Sequence, residues 1–178
     1  MNVLVQIGRY VLSLLAGELP KPINEVLLIV GGAPGGIEAA KAFAKQTKCD
    51  VCAVNGVIAE FTGPLFLAIS MQETMLADWV KKRKYTKSRP CVIANDIAEG
   101  LDAVVALDQP CPSSAFYAAL IGRAMGYQRI VLAGVELDRE GERKAYEGLL
   151  KAAVKSGALT GVESLSTGWV AQTLKGRL

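Results

Sequence analysis

The chain has 178 residues, 51% apolar and 21% charged, which is the composition of one folded domain with a full core and excludes a disordered chain. Twenty basic against seventeen acidic residues leave a net charge of +3, too little to imply a nucleic-acid partner. There is no histidine; with the commonest general base and metal ligand gone, any chemistry falls to carboxylates, hydroxyls, lysines or a metal brought by a ligand.

Val3, Leu4, Ile7, Val11, Leu14 and Leu15 recur at steps of three and four, which predicts an amphipathic helix over about residues 2–16, ended by Gly17 and Pro20. Its expected place is against the core or against a second copy of the chain, so it is the candidate contact of a homo-oligomer. Arg9 interrupts the apolar run and no basic residue precedes it. The segment therefore does not read as a secretion signal, and it is too short to span a membrane. No membrane partner is expected.

Val26–Val30 is a continuous apolar run, the pattern of a central parallel strand buried on both faces. A helix is expected over Ile37–Gln46, then strands over Asp50–Val54 and Leu65–Ile69, then a helix over Glu73–Lys82. Lys81 to Arg89 holds six basic residues in nine, a solvated helix end and loop or a patch that steers an anionic partner. Strands follow over Cys91–Ala94 and Ala103–Leu107, and Ser113 is placed to cap a helix over about 114–125 that Gly126 closes. A strand over Arg129–Ala133, a charged helix over Glu140–Lys155, a short strand over Gly161–Leu165 and a helical turn over Trp169–Leu174 complete the chain. Strands alternating with helices predict a single α/β domain over residues 1–178. Its expected form is a doubly wound, mostly parallel sheet with helices on both faces, Rossmann-like.

Cysteines stand at 49, 52, 91 and 111, and the one C-x-x-C (Cys49 to Cys52) has no second pair to complete a zinc site. They read as buried, reduced thiols, which places the protein in a reducing, cytoplasmic compartment.

Sheets of this class bind ligands beyond the carboxyl ends of their strands. The first strand runs into Gly31-Gly32-Ala33-Pro34-Gly35-Gly36, where backbone N–H groups can approach a ligand with no Cβ in the way, ahead of a helix whose positive end points into the same space. The other strand ends carry Asn55, Ser70, Asn95 with Asp96, Asp108 with Gln109, Ser113 with Ser114, and Glu136 with Asp138. Gly31, Ala33 and Gly36 meet the dinucleotide fingerprint only in part, and Asn55 stands where an acidic residue would hold the ribose, so NAD is not expected. No G-x-x-x-x-G-K-[ST] follows the strand, so this is not a P-loop ATPase. Asn55 suits a base edge or ribose hydroxyls, or simply forms an Asn-Gly turn. Ser113 and Ser114 suit a phosphate at a helix N-terminus, or plain capping. Asp108, Glu136 and Asp138 are candidates to hold Mg²⁺ between ligand oxygens, with Asp108 or Glu136 as base; Glu136 and Asp138 serve equally as negative charge at the start of the next helix.

Gly31-Gly32-Ala33-Pro34-Gly35 resembles the G-x-G-P-S loop of the small bacterial sialyltransferases that use CMP-sialic acid, and of the related 6-hydroxymethylpterin pyrophosphokinase-like proteins. Val54-Asn55 resembles their strand-end asparagine. The stretch from Ser113-Ser114-Ala115-Phe116-Tyr117 through Gly126-Tyr127-Gln128-Arg129-Ile130-Val131-Leu132-Ala133-Gly134-Val135-Glu136 resembles their T/S-S-G…A…L-G-Y-x-x-I-x-L-x-G-x-D block. The resemblance spans about residues 26–138. It implies a Rossmann-like sheet and a nucleotide held by the glycine loop, Asn55 and the Ser113-Ser114 turn. The sialyltransferases use a histidine as general base, and this chain has none; Ala33, Gly35, Ala115 and Glu136 replace the family's glycine, serine, glycine and aspartate.

The function expected from the sequence is binding of a nucleotide or nucleotide-sugar, with transfer of a nucleotide-linked glycosyl or pyrophosphoryl group. The alternative is a non-catalytic assembly or scaffold protein that keeps the fold.

Overall fold

A computed structural model of the chain describes residues 2–137 and 140–176, and the side chains of residues 5–137 and 144–176. It is a mixed α/β structure. The strands are β1 (Asn2–Ile7), β2 (Tyr10–Gly17), β3 (Val26–Val30), β4 (Asp50–Val54), β5 (Leu67–Ser70), β6 (Cys91–Ala94), β7 (Ala103–Leu107), β8 (Arg129–Ala133) and β9 (Val162–Ser164). The helices are α1 (Gly36–Gln46), α2 (Val57–Glu60), α3 (Glu73–Lys81), α4 (Ser114–Ala124), α5 (Glu140–Lys155) and α6 (Trp169–Leu174). Among the described residues the strands form one sheet in the order β1-β2-β7-β6-β5-β4-β3-β8-β9. The pairings from β7 across to β9 are parallel, while β1–β2 and β2–β7 are antiparallel.

The apolar run of β3 has the predicted cause. Its alternate residues serve two cores: Leu27 and Ile29 join a layer with α4, α6 and Leu150 and Ala153 of α5, whereas Val26, Leu28 and Val30 join one with Ala40 of α1, Val57 and Ile58 of α2 and Leu76 of α3. α4 is buried from Ser114 to Gly122, so it has no polar face to show. It packs against β1, β3, β4, β5 and β8 and carries the chain from β7 back past the sheet to β8. Each fully buried Leu, Ile or Phe in these layers contributes about 1.5–3 kcal/mol.

The expected helix over 2–16 is not formed, and with it goes the helical oligomer contact. The segment is a hairpin: Ile7 pairs Tyr10 across the two-residue turn Gly8-Arg9, and β2 pairs β7 from Leu12↔Leu107 to Gly17↔Ala103. Gly8 takes φ 57 while Arg9 stays out of the left-handed region, the pattern of a II′ turn, whose twist suits a hairpin. Val3, Val5 and Ile7 also alternate, so helical spacing and strand alternation coexist here. The tertiary partner decides between them. As a strand, β2 satisfies the backbone edge of β7, which a helix would leave unpaired, and it buries Tyr10 and Leu12 completely.

At the amino end of β4, Asp50 is buried and accepts from Ile23 N–H at 2.8 Å, Asn24 N–H at 3.1 Å, Asn24 Nδ2 at 2.7 Å and the Tyr127 hydroxyl. This knot ties the segment before β3 to the α4–β8 turn. Burial alone would push the Asp50 carboxyl up; the hydrogen bonds from Tyr127, Asn24 and Ile23 outweigh it and hold the group below the usual carboxylate range. Cys49, Cys52, Cys91 and Cys111 are free. No helix among the described residues is long and apolar enough to cross a membrane.

The basic run is partly structural. Arg83 is buried, with its Nη2 on Gly63 O at 3.3 Å and its Nε on Tyr85 O at 3.4 Å. Arg89 forks onto Asp102 at 2.8 Å to each oxygen.

Candidate functional site

The strand order reverses between β3 and β8: the chain adds β4 to β7 on one side of β3, then returns through α4 to place β8 on the other. At the carboxyl ends of these strands lies a cleft of about 720 Å³, lined from the β3, β4, β5 and β8 loops, the start of α4 and Tyr146 of α5.

Its floor is a contact between two backbones. Gly31 N–H donates to Ala133 O at 2.8 Å, and Ala33 N–H to Gly134 O at 2.9 Å. A Cβ on Gly31 would lie 2.5 Å from Gly134 O, and one on Gly36 would lie 2.5 Å from Gly134 Cα. Gly31 and Gly36 are therefore glycine because two loops touch. Gly35 takes φ 77 at the N-terminus of α1, a conformation that disfavours a side chain. Gly32 is different: it is not left-handed, and a Cβ there would make only ordinary contact with Val57 at 3.6 Å. It is exposed and lines the cleft, and neither its N–H nor that of Gly35 has a backbone acceptor. Nothing in the fold requires glycine at position 32.

Asn55 lines the cleft from the end of β4 with φ 53. Ser70 Oγ donates to its Oδ1 at 2.7 Å and accepts from Gln72 N–H at 2.9 Å. Ser70 is itself fully buried and is not a lining residue. Ser114 Oγ accepts from Met71 N–H at 3.1 Å, which pins the β5 loop to the start of α4. Ser113 holds the predicted N-cap position, but its side chain makes no capping bond and its buried Oγ has no partner. Asn55 and Leu137 are the non-glycine residues with positive φ among the described residues, and both line this cleft. For leucine that conformation carries strain, and strain of this kind gathers at functional sites.

The structure thus brings together Gly31, Gly32, Ala33, Pro34, Asn55, Ser113, Ser114 and Glu136 as lining residues, with Ser70 hydrogen-bonded behind Asn55, while Gly35 is exposed at the start of α1 and is not a lining residue. Asp108 is elsewhere. Its Oδ1 accepts from Val11 N–H at 2.8 Å, closing the β2–β7 pair. β7 is four strands from β3, roughly 19 Å at the usual strand spacing. Asp138 lies outside the described residues. Glu136 is the one acid, and there is no lysine or arginine, in the described lining. Among the described residues no group of three or more acids and cysteines is placed to hold a metal ion.

The lining also includes Met71, Gln72, Cys111, Pro112, Val135, Leu137 and Tyr146, which the sequence reading did not assign to a site. Gln72 had a signal, since it follows a strand end by two residues; Tyr146 had none, because only packing turns that part of α5 toward the cleft. Burial pushes the Cys111 thiol up to about 12, the Ser113 carbonyl contact notwithstanding, so this sulfur stays protonated and is no nucleophile near neutral pH.

Comparisons with protein-family models, curated proteins and solved structures gave no match for this chain.

Proposed function

We propose that the protein binds a nucleotide or nucleotide-sugar in the cleft between the β3 and β8 loops, on a Rossmann-like, doubly wound sheet. The observation that carries this reading is the state of the cleft's polar groups. Gly32 N–H and the buried Ser113 Oγ lack partners, at the point of strand-order reversal where such sheets take ligands. A buried hydroxyl without a partner is costly, and a phosphate oxygen would satisfy it. A glycine that the fold does not require, at position 32, is explained by close approach of a ligand to the backbone.

The reaction class that fits is transfer of a nucleotide-linked group, of the kind carried out by the sialyltransferases and pyrophosphokinase-like proteins that the glycine loop and the Ser113–Glu136 block resemble. Negative charge developing on phosphate would be met by backbone N–H groups and Ser113. In this reading Glu136, a lining residue, acts as base or shares Mg²⁺ with phosphate oxygens, an ion that needs only one or two carboxylates.

Calorimetric titration with CMP, CDP, ATP and GTP, with and without Mg²⁺, tests the reading. Micromolar affinity for at least one is expected, and weakening of it in Gly32→Ala. Absent or millimolar affinity for all four would sink it. The reading as a non-catalytic assembly protein is favoured by one observation, the single carboxylate among the described lining residues. It predicts that no nucleotide binds at the glycine loop.

A further inference from the structure

We propose that Ser70 is a positioning residue that fixes the Asn55 amide so that Asn55 offers the cleft only its Nδ2 donor, and that this end of the cleft takes an acceptor oxygen of an anionic ligand. This rests on the reading above that the cleft is a ligand site.

The orientation follows from proton counting. Ser70 is 0% exposed, so solvent cannot satisfy its hydroxyl. Its Oγ accepts from Gln72 N–H at 2.9 Å and meets Asn55 Oδ1 at 2.7 Å. A backbone N–H can only donate, and a hydroxyl has one proton to give. That proton goes to Asn55, and the asparagine atom that receives it is the carbonyl oxygen. The reversed amide would set Nδ2 against Ser70 and leave the buried serine proton without an acceptor. Nδ2 is thereby left with no partner in the protein. The backbone holds the residue from its other end: Asn55 takes φ 53, and its carbonyl accepts from Ile58 N–H at 3.0 Å.

Two other lining groups have the same polarity. Gly32 offers an N–H, and the unpartnered Ser113 Oγ has a proton to donate. A ring amino group brought to Asn55 would meet another donor. A phosphoryl or carboxylate oxygen would meet hydrogen atoms from each of these groups, and charge strengthens such bonds.

The test uses the full chain and the ¹⁵N–¹H signals of the Asn55 side-chain amide, assigned by their absence in Asn55→Asp. In the ligand-free protein Ser70→Ala should shift and broaden the pair, as the amide gains a second orientation, and Ser70→Thr, which keeps the hydroxyl, should restore it. An unmoved pair in Ser70→Ala overturns the positioning role. The ligand arm compares CMP, inorganic pyrophosphate and uncharged cytidine. CMP and pyrophosphate should move the wild-type pair and cytidine should not. Asn55→Asp keeps both the backbone and the Ser70 contact, and should weaken CMP or pyrophosphate by about tenfold or more; this arm carries the test if Ser70→Ala does not fold. Asn55→Asp binding as tightly as wild type, or no probe moving the pair, overturns the inference. Calorimetric nucleotide binding with the pair unmoved sinks this inference alone. Pyrophosphate moving the pair while no nucleotide binds supports it and sinks the nucleotide reading.

Discussion

Gly134 faces Gly31 backbone to backbone: a Cβ on Gly134 would lie 2.6 Å from Gly31 O and 2.7 Å from Gly36 Cα. Neither neighbour is a side chain that can turn away. Gly134 also takes φ 68, which costs a residue with a Cβ roughly 1–2 kcal/mol. Gly134→Ala should therefore lose about 2–5 kcal/mol, adding an overpacking cost of about 1–3 kcal/mol, read as a lower urea midpoint. Gly32→Ala, in the same cleft but with room for a methyl, should change stability by less than about 0.5 kcal/mol and lower nucleotide affinity. Equal stability losses for the two would show that position 32 is glycine for the fold.

Ser113→Ala separates binding from folding in the opposite direction. The hydroxyl makes no capping bond and is buried without a partner. Its removal should leave stability unchanged or raise it by up to about 1–3 kcal/mol, the cost of an unsatisfied buried polar group. Nucleotide affinity should fall at the same time. A destabilised Ser113→Ala protein would mean that the hydroxyl caps α4 in solution after all.

The Asp50 knot fixes how the fold responds to acid. The carboxyl is held below its ordinary value in the folded state, and the unfolded chain has the ordinary value of about 3.9. The folded protein thus binds this proton less readily than the unfolded chain. The stabilisation is fully present above the unfolded value and is lost as pH falls through the folded one. Urea midpoints measured between pH 6 and pH 2 should drop, and Asp50→Asn should flatten that drop. Tyr127→Phe should cost about 1.5–3 kcal/mol at neutral pH, the loss of one hydrogen bond to a charged acceptor.

The N-terminal hairpin belongs to the core. Deleting residues 1–20 removes the buried Tyr10 and Leu12 and exposes the edge of β7. The truncated chain should lose cooperative unfolding or aggregate through the bared strand. Leu12→Ala alone should cost about 2–5 kcal/mol. A truncated chain that unfolds at the same urea concentration as the whole protein would contradict the hairpin.

The sequence by itself determined most of the elements. Strands β3, β4, β6, β7 and β8 and helices α5 and α6 have the limits read from the apolar runs and breakers, because strands buried on both faces leave continuous apolar runs that little else produces. It also placed the glycine loop, Asn55, Ser113, Ser114 and Glu136 at one edge of a sheet, since strand ends are countable along a chain. The tertiary structure decided what no local pattern encodes. Residues 2–16 carry both helical spacing and strand alternation, and the unpaired edge of β7 selects the hairpin. Asp108 and Glu136 both follow strands, yet the strand order puts β7 four places from β3 and assigns Asp108 to a β2–β7 hydrogen bond. Gly31, Gly32 and Gly35 look alike in sequence. Only the approach of Gly134 distinguishes the glycine held by a neighbouring loop from the one held by its own φ, and both from Gly32, which lines the cleft and where a Cβ would make only ordinary contact.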